Sequence, residues 1–305
     1  MKVTLLGPQR RPTVDAVVAT LGIDGPIATI TAGWQERESD DGELGKVLGG
    51  RDVNLRLYER LLDVQERDAS FAAAERRLAE LLTEVQDSYL LRLDYALQAV
   101  YALQRRNGQD PLKVAIAAEA IEAVRDLDAA HLRRTSELRG EFYQDLQPHE
   151  RPVIAGHRAE VAEALSGAEA VVIAGGHVGV LADVLHLFNI AAVVRSPVIA
   201  WSAGAMALTE RIVLFHDRSA HGPGHPEVYC SGLSMVRETV VLPHARARLL
   251  LEDGPRMAVF ARRFAPARCV LLESGMRIDA EAGGICQPGA RMIGFDGRVT
   301  TLEAP

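Results

Sequence analysis

Pro197-Val198-Ile199-Ala200-Trp201-Ser202-Ala203-Gly204-Ala205-Met206-Ala207-Leu208 decides how this chain is read. An apolar run short enough for a buried strand ends at a serine, and a small-residue stretch with helical character follows. Ala200 and Gly204 lie two positions either side of Ser202. Small residues there let the chain turn sharply from strand to helix and present the serine hydroxyl at the helix N-terminus, where free amides favour developing negative charge. A serine that simply caps a helix is the competing reading of the same string.

Outward from that strand, apolar runs and helical stripes alternate. Val3–Leu6, Pro26–Ile30, Ala170–Ala174, Thr239–Leu242 and Cys269–Leu272 read as strands; Val14–Leu21, Val178–Phe188, Ala203–Thr209 and Leu249–Phe264 read as helices. The predicted fold class is α/β, a doubly wound, mostly parallel sheet formed by residues 1–53 and 148–305. Residues 54–147 have a different character. Leu78, Leu81, Leu82, Val85, Tyr89, Leu93, Leu97, Val100 and Leu103 recur at the spacing of one helix face. Asp110-Pro111 then restarts a second helix carrying Ile116, Ala120, Val124 and Leu127. The expectation is a helical hairpin inserted into the α/β domain, serving as core packing or as a homodimer contact. Gly283-Gly284, Pro288-Gly289 and Asp296-Gly297 punctuate the last thirty residues as antiparallel hairpins.

Composition narrows the function. The chain has 305 residues, 48% hydrophobic and 25% charged, with a formal charge of −7. That balance describes a globular protein and supplies no electrostatic reason to bind nucleic acid or an anionic membrane. Cys230, Cys269 and Cys286 are odd in number and widely spaced, which argues against a disulfide framework or a structural zinc site. No signal-like or membrane-length apolar run is present, so the expected location is cytoplasmic.

A serine nucleophile needs a base and a group that orients it. His244 ends the strand Val240–Leu242, where α/β folds display catalytic groups, and Asp217 follows the apolar run Ile212–Phe215. Each has a plain alternative, a surface-turn histidine and a loop aspartate; Glu210 and Glu238 compete with Asp217. Gly175-Gly176, at the end of Ala170–Ala174, would turn backbone amides into the crevice, with the Ala203 amide as the second donor. His216, His221 and His225 stand in a Gly/Pro-rich loop whose spacing fits no metal site, so it is read as a mobile loop over the site. Cys230 lacks a strand-turn-helix context and is taken as a bystander.

Together Ala-Trp-Ser-Ala-Gly-Ala at 200–205, Asp217 fifteen residues beyond Ser202, Pro243-His244 after a later strand, Gly175-Gly176 and Glu273-Ser274-Gly275 resemble the dipeptidase E and cyanophycinase family of serine peptidases. The resemblance is good over residues 168–305, weak over the opening strands and absent from the insertion. It implies the class I glutamine amidotransferase-like, flavodoxin-like fold. It also implies Ser202 as nucleophile, His244 as general base and then acid, Asp217 as orienting carboxylate, and the Gly176 and Ala203 amides as the oxyanion hole, with no cofactor or metal. Characterised members favour acidic substrates. Trp201, His177, Arg246 and Arg248 would then meet a small peptide substrate, the two arginines as a carboxylate clamp; a solvated helix start is the other reading of that pair. His177 departs from the residues usual after the two glycines. The reading from a different class is a non-catalytic binding or assembly protein whose partner surface is the insertion.

Overall fold

The computed structural model describes the chain except residues 10–12, 107–109, 218–223, 282–283, 286 and 303–305. The chain opens as strand β1 (Val3–Leu6), helix α1 (Val14–Thr20) and strand β2 (Ile27–Ile30). A 3-10 segment, Ala32–Arg37, and α2 (Gly42–Val47) lead to β3 (Asp52–Asn54), a three-residue strand that carries no readable apolar run. The helices α3 (Leu57–Arg67), α4 (Ala69–Arg105) and α5 (Pro111–Leu146) form the insertion. Then come α6 (Pro152–Ser166), β4 (Ala170–Ile173), α7 (Val178–Leu187), α8 (Ile190–Val193), β5 (Val198–Trp201) and α9 (Ala203–Ala207). The remainder is β6 (Arg211–Leu214), β7 (Glu227–Ser231), β8 (Thr239–Pro243), α10 (Ala245–Arg248), α11 (Gly254–Phe264), β9 (Arg268–Leu272), β10 (Arg277–Glu281), β11 (Gly284–Ile285), β12 (Arg291–Ile293) and β13 (Val299–Thr301).

The result is a mixed α/β fold with a parallel-rich central sheet. Its order is β11-β10-β1-β5-β4-β2-β3, with β1, β5, β4, β2 and β3 parallel and β10 and β11 antiparallel at one edge. Alternate side chains supply opposite cores, as the period of two requires. Val3, Leu5, Ile30, Ile173 and Ala200 pack in the core that α7 covers; Leu6, Ile27, Val172, Ile199 and Trp201 pack under α1 and α2.

The single sheet expected from sequence is not what forms. β8 and β9 leave it and pair in parallel within a second sheet, ordered β13-β12-β9-β8. The reason is occupancy: β10 pairs antiparallel along the edge of β1, Val3 opposite Ala280, and so takes the place that β8 or β9 would need to extend the parallel strands there. β6 and β7 form a separate antiparallel pair. The hairpin β12–β13 turns at Asp296-Gly297, as its turn residues predict.

In the insertion, Tyr89, Leu93, Leu97 and Val100 of α4 are buried, and Asp110 caps α5 by accepting from the Leu112 amide at 3.0 Å. The buried stripe of α5 runs through Ala117, Ile121, Val124 and Leu127; Ile116, expected inside, is 39% exposed because that stripe passes one residue further on. The insertion joins the main core through an ion pair. Arg263 of α11 donates to both oxygens of Asp128 of α5 at 2.7 Å and to the Tyr89 hydroxyl at 2.9 Å, all three side chains being buried. Helix α11 begins at Gly254 rather than Leu249, since Asp253 caps it and the backbone of Arg248 and Leu250 is spent on Asp217. Among the described residues, no helix is long and apolar enough to cross a membrane.

Candidate active site

Ser202 joins β5 to α9 with φ 52° and ψ −119°. A side chain with a Cβ is strained in that region, by about 1–3 kcal/mol. Its hydroxyl makes no capping hydrogen bond, and its backbone is far from the extended conformation of a capping serine. The strain is enforced by packing. The Ser202 amide donates to Leu6 O of β1 at 3.3 Å, and a Cβ on Gly204 would lie 2.6 Å from the carbonyl oxygens of both Ile173 and Ala174. Only glycine allows α9 to start that close to β4. Ser202 itself is half-buried.

Beside it lies the Gly175-Gly176 turn. The Cβ that Gly175 lacks would sit 3.0 Å from the Cβ of Ser202, so the two strand ends are in contact. Gly176 has φ 122°, a conformation reserved for glycine, and a Cβ there would strike Gly33 O at 2.2 Å. The His177 amide donates to that same Gly33 oxygen at 2.7 Å, which fixes the turn against the end of β2. Among the described residues no acceptor takes the Gly176 or Ala203 amide. One of these amides stands at the start of α9, and the other belongs to the residue after the glycine that touches Ser202.

His244 follows β8 in the left-handed conformation, φ 56° and ψ 33°, and its amide reaches Leu272 O at 3.4 Å. The ends of β9 and β1 meet in turn: the Gly7 amide donates to Met276 O at 2.9 Å, and the Glu273 carboxylate accepts from the Arg246 amide at 2.7 Å. His244 and Ser202 therefore occupy the same edge of the molecule, at the carboxyl ends of parallel strands, where α/β folds place their sites.

Asp217 is buried, and its carboxylate is taken by a different group. Arg256 of α11 donates through Nη2 to Oδ1 at 2.6 Å and through Nε to Oδ2 at 3.2 Å, and the Leu250 amide adds a bond to Oδ2 at 3.1 Å. Among the described residues, the hydrogen bonds to the Asp217 carboxylate come from Arg256 and the Leu250 amide. Of the rivals read from sequence, Glu210 is engaged elsewhere, accepting from the Glu238 amide at 2.9 Å, and Glu238 is exposed.

The expected substrate residues divide. Trp201, 4% exposed, lies in the core under α1 and α2 and so supports the strand instead of facing a ligand. His177 is exposed and caps α7, its Nδ1 accepting from the Val180 amide at 3.2 Å. Arg246 is exposed at the start of α10, and Arg248 is half-buried with its carbonyl accepting from the Asp217 amide at 2.7 Å. Of the three loop histidines, His221 and the loop's middle, residues 218–223, lie outside the described residues. His216 is exposed, and His225 turns to the insertion, where its Nε2 lies 3.3 Å from Asp94. Among the described residues no three His, Cys, Asp or Glu side chains gather to hold a metal. Cys230 is buried, and burial pushes its thiol up to about 12, well above reactive range.

One residue escaped the sequence reading. Gln35, just after β2, has φ 56° and ψ −124°, nearly the conformation of Ser202. It stands two residues from Gly33, which touches the Gly175-Gly176 turn. No glycine or turn signature marks it; the only clue was an irregular polar run directly after a strand end.

No family model matches this chain, and no curated protein is similar to it. Thirteen chains of solved structures are similar. One is a peptidase from an acI-B1 Actinobacterium, 12% identical, aligned over 99% of this chain and 94% of that one, with a TM-score of 0.45.

Proposed function

We propose that the chain is a serine hydrolase that cleaves a small peptide or isopeptide bond. The observation that carries this reading is the backbone of Ser202, strained at φ 52° and ψ −119° with a hydroxyl that caps nothing, close to two amides that find no acceptor among the described residues. A strained, uncapped serine costs stability and gives no structural return, whereas the same geometry exposes a nucleophile.

In this reading Ser202 Oγ attacks the carbonyl carbon while His244 takes its proton. The Gly176 and Ala203 amides hold the resulting oxyanion, with Gly175 keeping that turn against the serine. The C–N bond breaks as His244 returns the proton to the leaving amine. Water then attacks the acyl-serine ester, giving up a proton to His244, and Ser202 is regenerated as the acid departs. Asp217 is the carboxylate proposed to orient His244, acting while Arg256 holds it. No step calls for a metal or cofactor. Amide transfer by a glutaminase is disfavoured, because amidotransferases of this fold use cysteine at the elbow and this position is Ser202.

The substrate proposal is an acidic, aspartyl-type dipeptide, with the exposed His177 and Arg246 as the residues proposed to meet it. The site of action is proposed to be cytoplasmic, without nucleic acid or membrane partners. Turnover of Asp-X, β-Asp-Arg and neutral X-Y dipeptides by the wild type and Ser202→Ala tests this: hydrolysis confined to the wild type supports it, and hydrolysis unchanged in Ser202→Ala refutes the assignment.

A binding or assembly role for the insertion has its own observation. Leu91 and Tyr95 on α4 and Leu112 and Val114 on α5 are 55–66% exposed, apolar surface that a second copy would cover in a homodimer.

A further inference from the structure

Asp217 and three consecutive residues at the approach to β7 are all held by groups that lead into the helical insertion. Arg256, besides gripping Asp217, donates to Gly224 O at 2.6 Å, so one guanidinium binds both ends of the segment that joins β6 to β7. That guanidinium lies 6.0 Å from the ring centroid of Tyr101 on α4. His225 stacks on the same ring at 6.1 Å and reaches Asp94 of α4. Pro226 O accepts from Arg263 at 2.6 Å, the arginine already paired with Asp128 of α5 and Tyr89 of α4.

A planar guanidinium can grip a carboxylate and a carbonyl at once only if it is held in one orientation. An aromatic face beside it supplies that hold. Arg256 is mostly buried, and α4 provides the face. An insertion that served only as an external partner surface would have no reason to send Tyr101, Asp94 and Tyr89 to this segment.

We propose that the helical insertion is a positioning element of the active site: Tyr101 orients Arg256, and Arg256 fixes Asp217. This rests on the reading of Ser202 as nucleophile and Asp217 as its distal carboxylate. Arg256 and Tyr101 are positioning residues, since neither is proposed to touch substrate.

The test is the kinetics of Ser202 labelling by a fluorophosphonate, followed by intact mass, in the wild type, Arg256→Lys, Tyr101→Leu and Tyr101→Phe, each checked for fold by circular dichroism. Two numbers are read, the limiting rate constant and the final labelled fraction. The expected result is a full labelled fraction in all four, with the rate constant at least tenfold lower in Arg256→Lys and Tyr101→Leu and recovered in Tyr101→Phe, which keeps the ring. An unchanged rate constant overturns the proposal, as does a lower labelled fraction at unchanged rate, which is loss of folded protein and nothing more. If the wild type does not label, the hydrolase reading fails on its own. Hydrogen exchange then decides the coupling: amides of 211–217 and 224–231 exchanging tenfold faster in Tyr101→Leu support the insertion's hold on Asp217, and unchanged exchange overturns it.

Discussion

Ser202 and Gln35 share one backbone conformation, (52°, −119°) and (56°, −124°), the first directly after β5 and the second in the 3-10 segment that follows β2, both strands of the central sheet. Both are strained for any residue with a Cβ, and β4, which ends in Gly175-Gly176, separates their strands. Strain of this kind is retained where the surrounding structure over-determines it, and it gathers at sites of function.

Replacing either residue by glycine relieves that strain. Ser202→Gly and Gln35→Gly are each expected to raise stability by about 1 kcal/mol, the relief being partly offset by the greater freedom of glycine in the unfolded chain. Thermal unfolding checks this. A fall in midpoint for both would show that the side chains, and not the backbone, hold these turns.

Gly204→Ala should do the reverse. Its methyl group would press on the carbonyl oxygens of Ile173 and Ala174, 2.6 Å away, and force α9 from β4. A loss of about 1–3 kcal/mol is expected from overpacking, together with slower labelling of Ser202. Chemical denaturation and labelling rates measure the two effects separately.

Asp128→Asn breaks a buried ion pair and strands the Arg263 guanidinium, which is 2% exposed at its side chain. About 3–5 kcal/mol should be lost. A urea titration that found less than 1 kcal/mol would mean that the insertion is not tied to the main core through this pair.

Acid should weaken the fold through its buried histidines. Burial holds His131, stacked on Tyr89 at 4.0 Å, below its ordinary value near 6.5, and His186 and His225 shift the same way. The unfolded chain then binds protons that the folded chain refuses, so stability is whole above about pH 6.5 and falls as pH drops from there toward the folded values. His131→Phe should flatten that fall. An equally steep fall in the variant would assign it to other groups.

Much of the fold was legible because its signals are local. Val3–Leu6 and Val198–Trp201 are apolar runs of strand length, and Asp110-Pro111 is a helix start in itself. The sharp strand-to-helix turn at Ser202 was legible through Gly204, since a Cβ there would meet the carbonyl oxygens of Ile173 and Ala174. What could not be read depends on partners far along the chain. The second sheet exists because β10 claims the edge of β1, more than 270 residues from it in sequence. The grip of Arg256 on Asp217 joins residues 39 positions apart, with nothing in either neighbourhood to announce it. Gln35 adopts a glycine conformation without being glycine, so no residue type revealed it. Trp201 looked like a ligand contact by its place beside the serine, but strand alternation buries its indole in the core under α1 and α2.

The most direct test of the central claim is intact-mass analysis of the wild type and Ser202→Ala after exposure to a fluorophosphonate at neutral pH. The account predicts one adduct per wild-type chain, mapped by peptide digestion to Ser202, and none on Ser202→Ala. An unlabelled wild type, or an adduct that persists in Ser202→Ala, would contradict it.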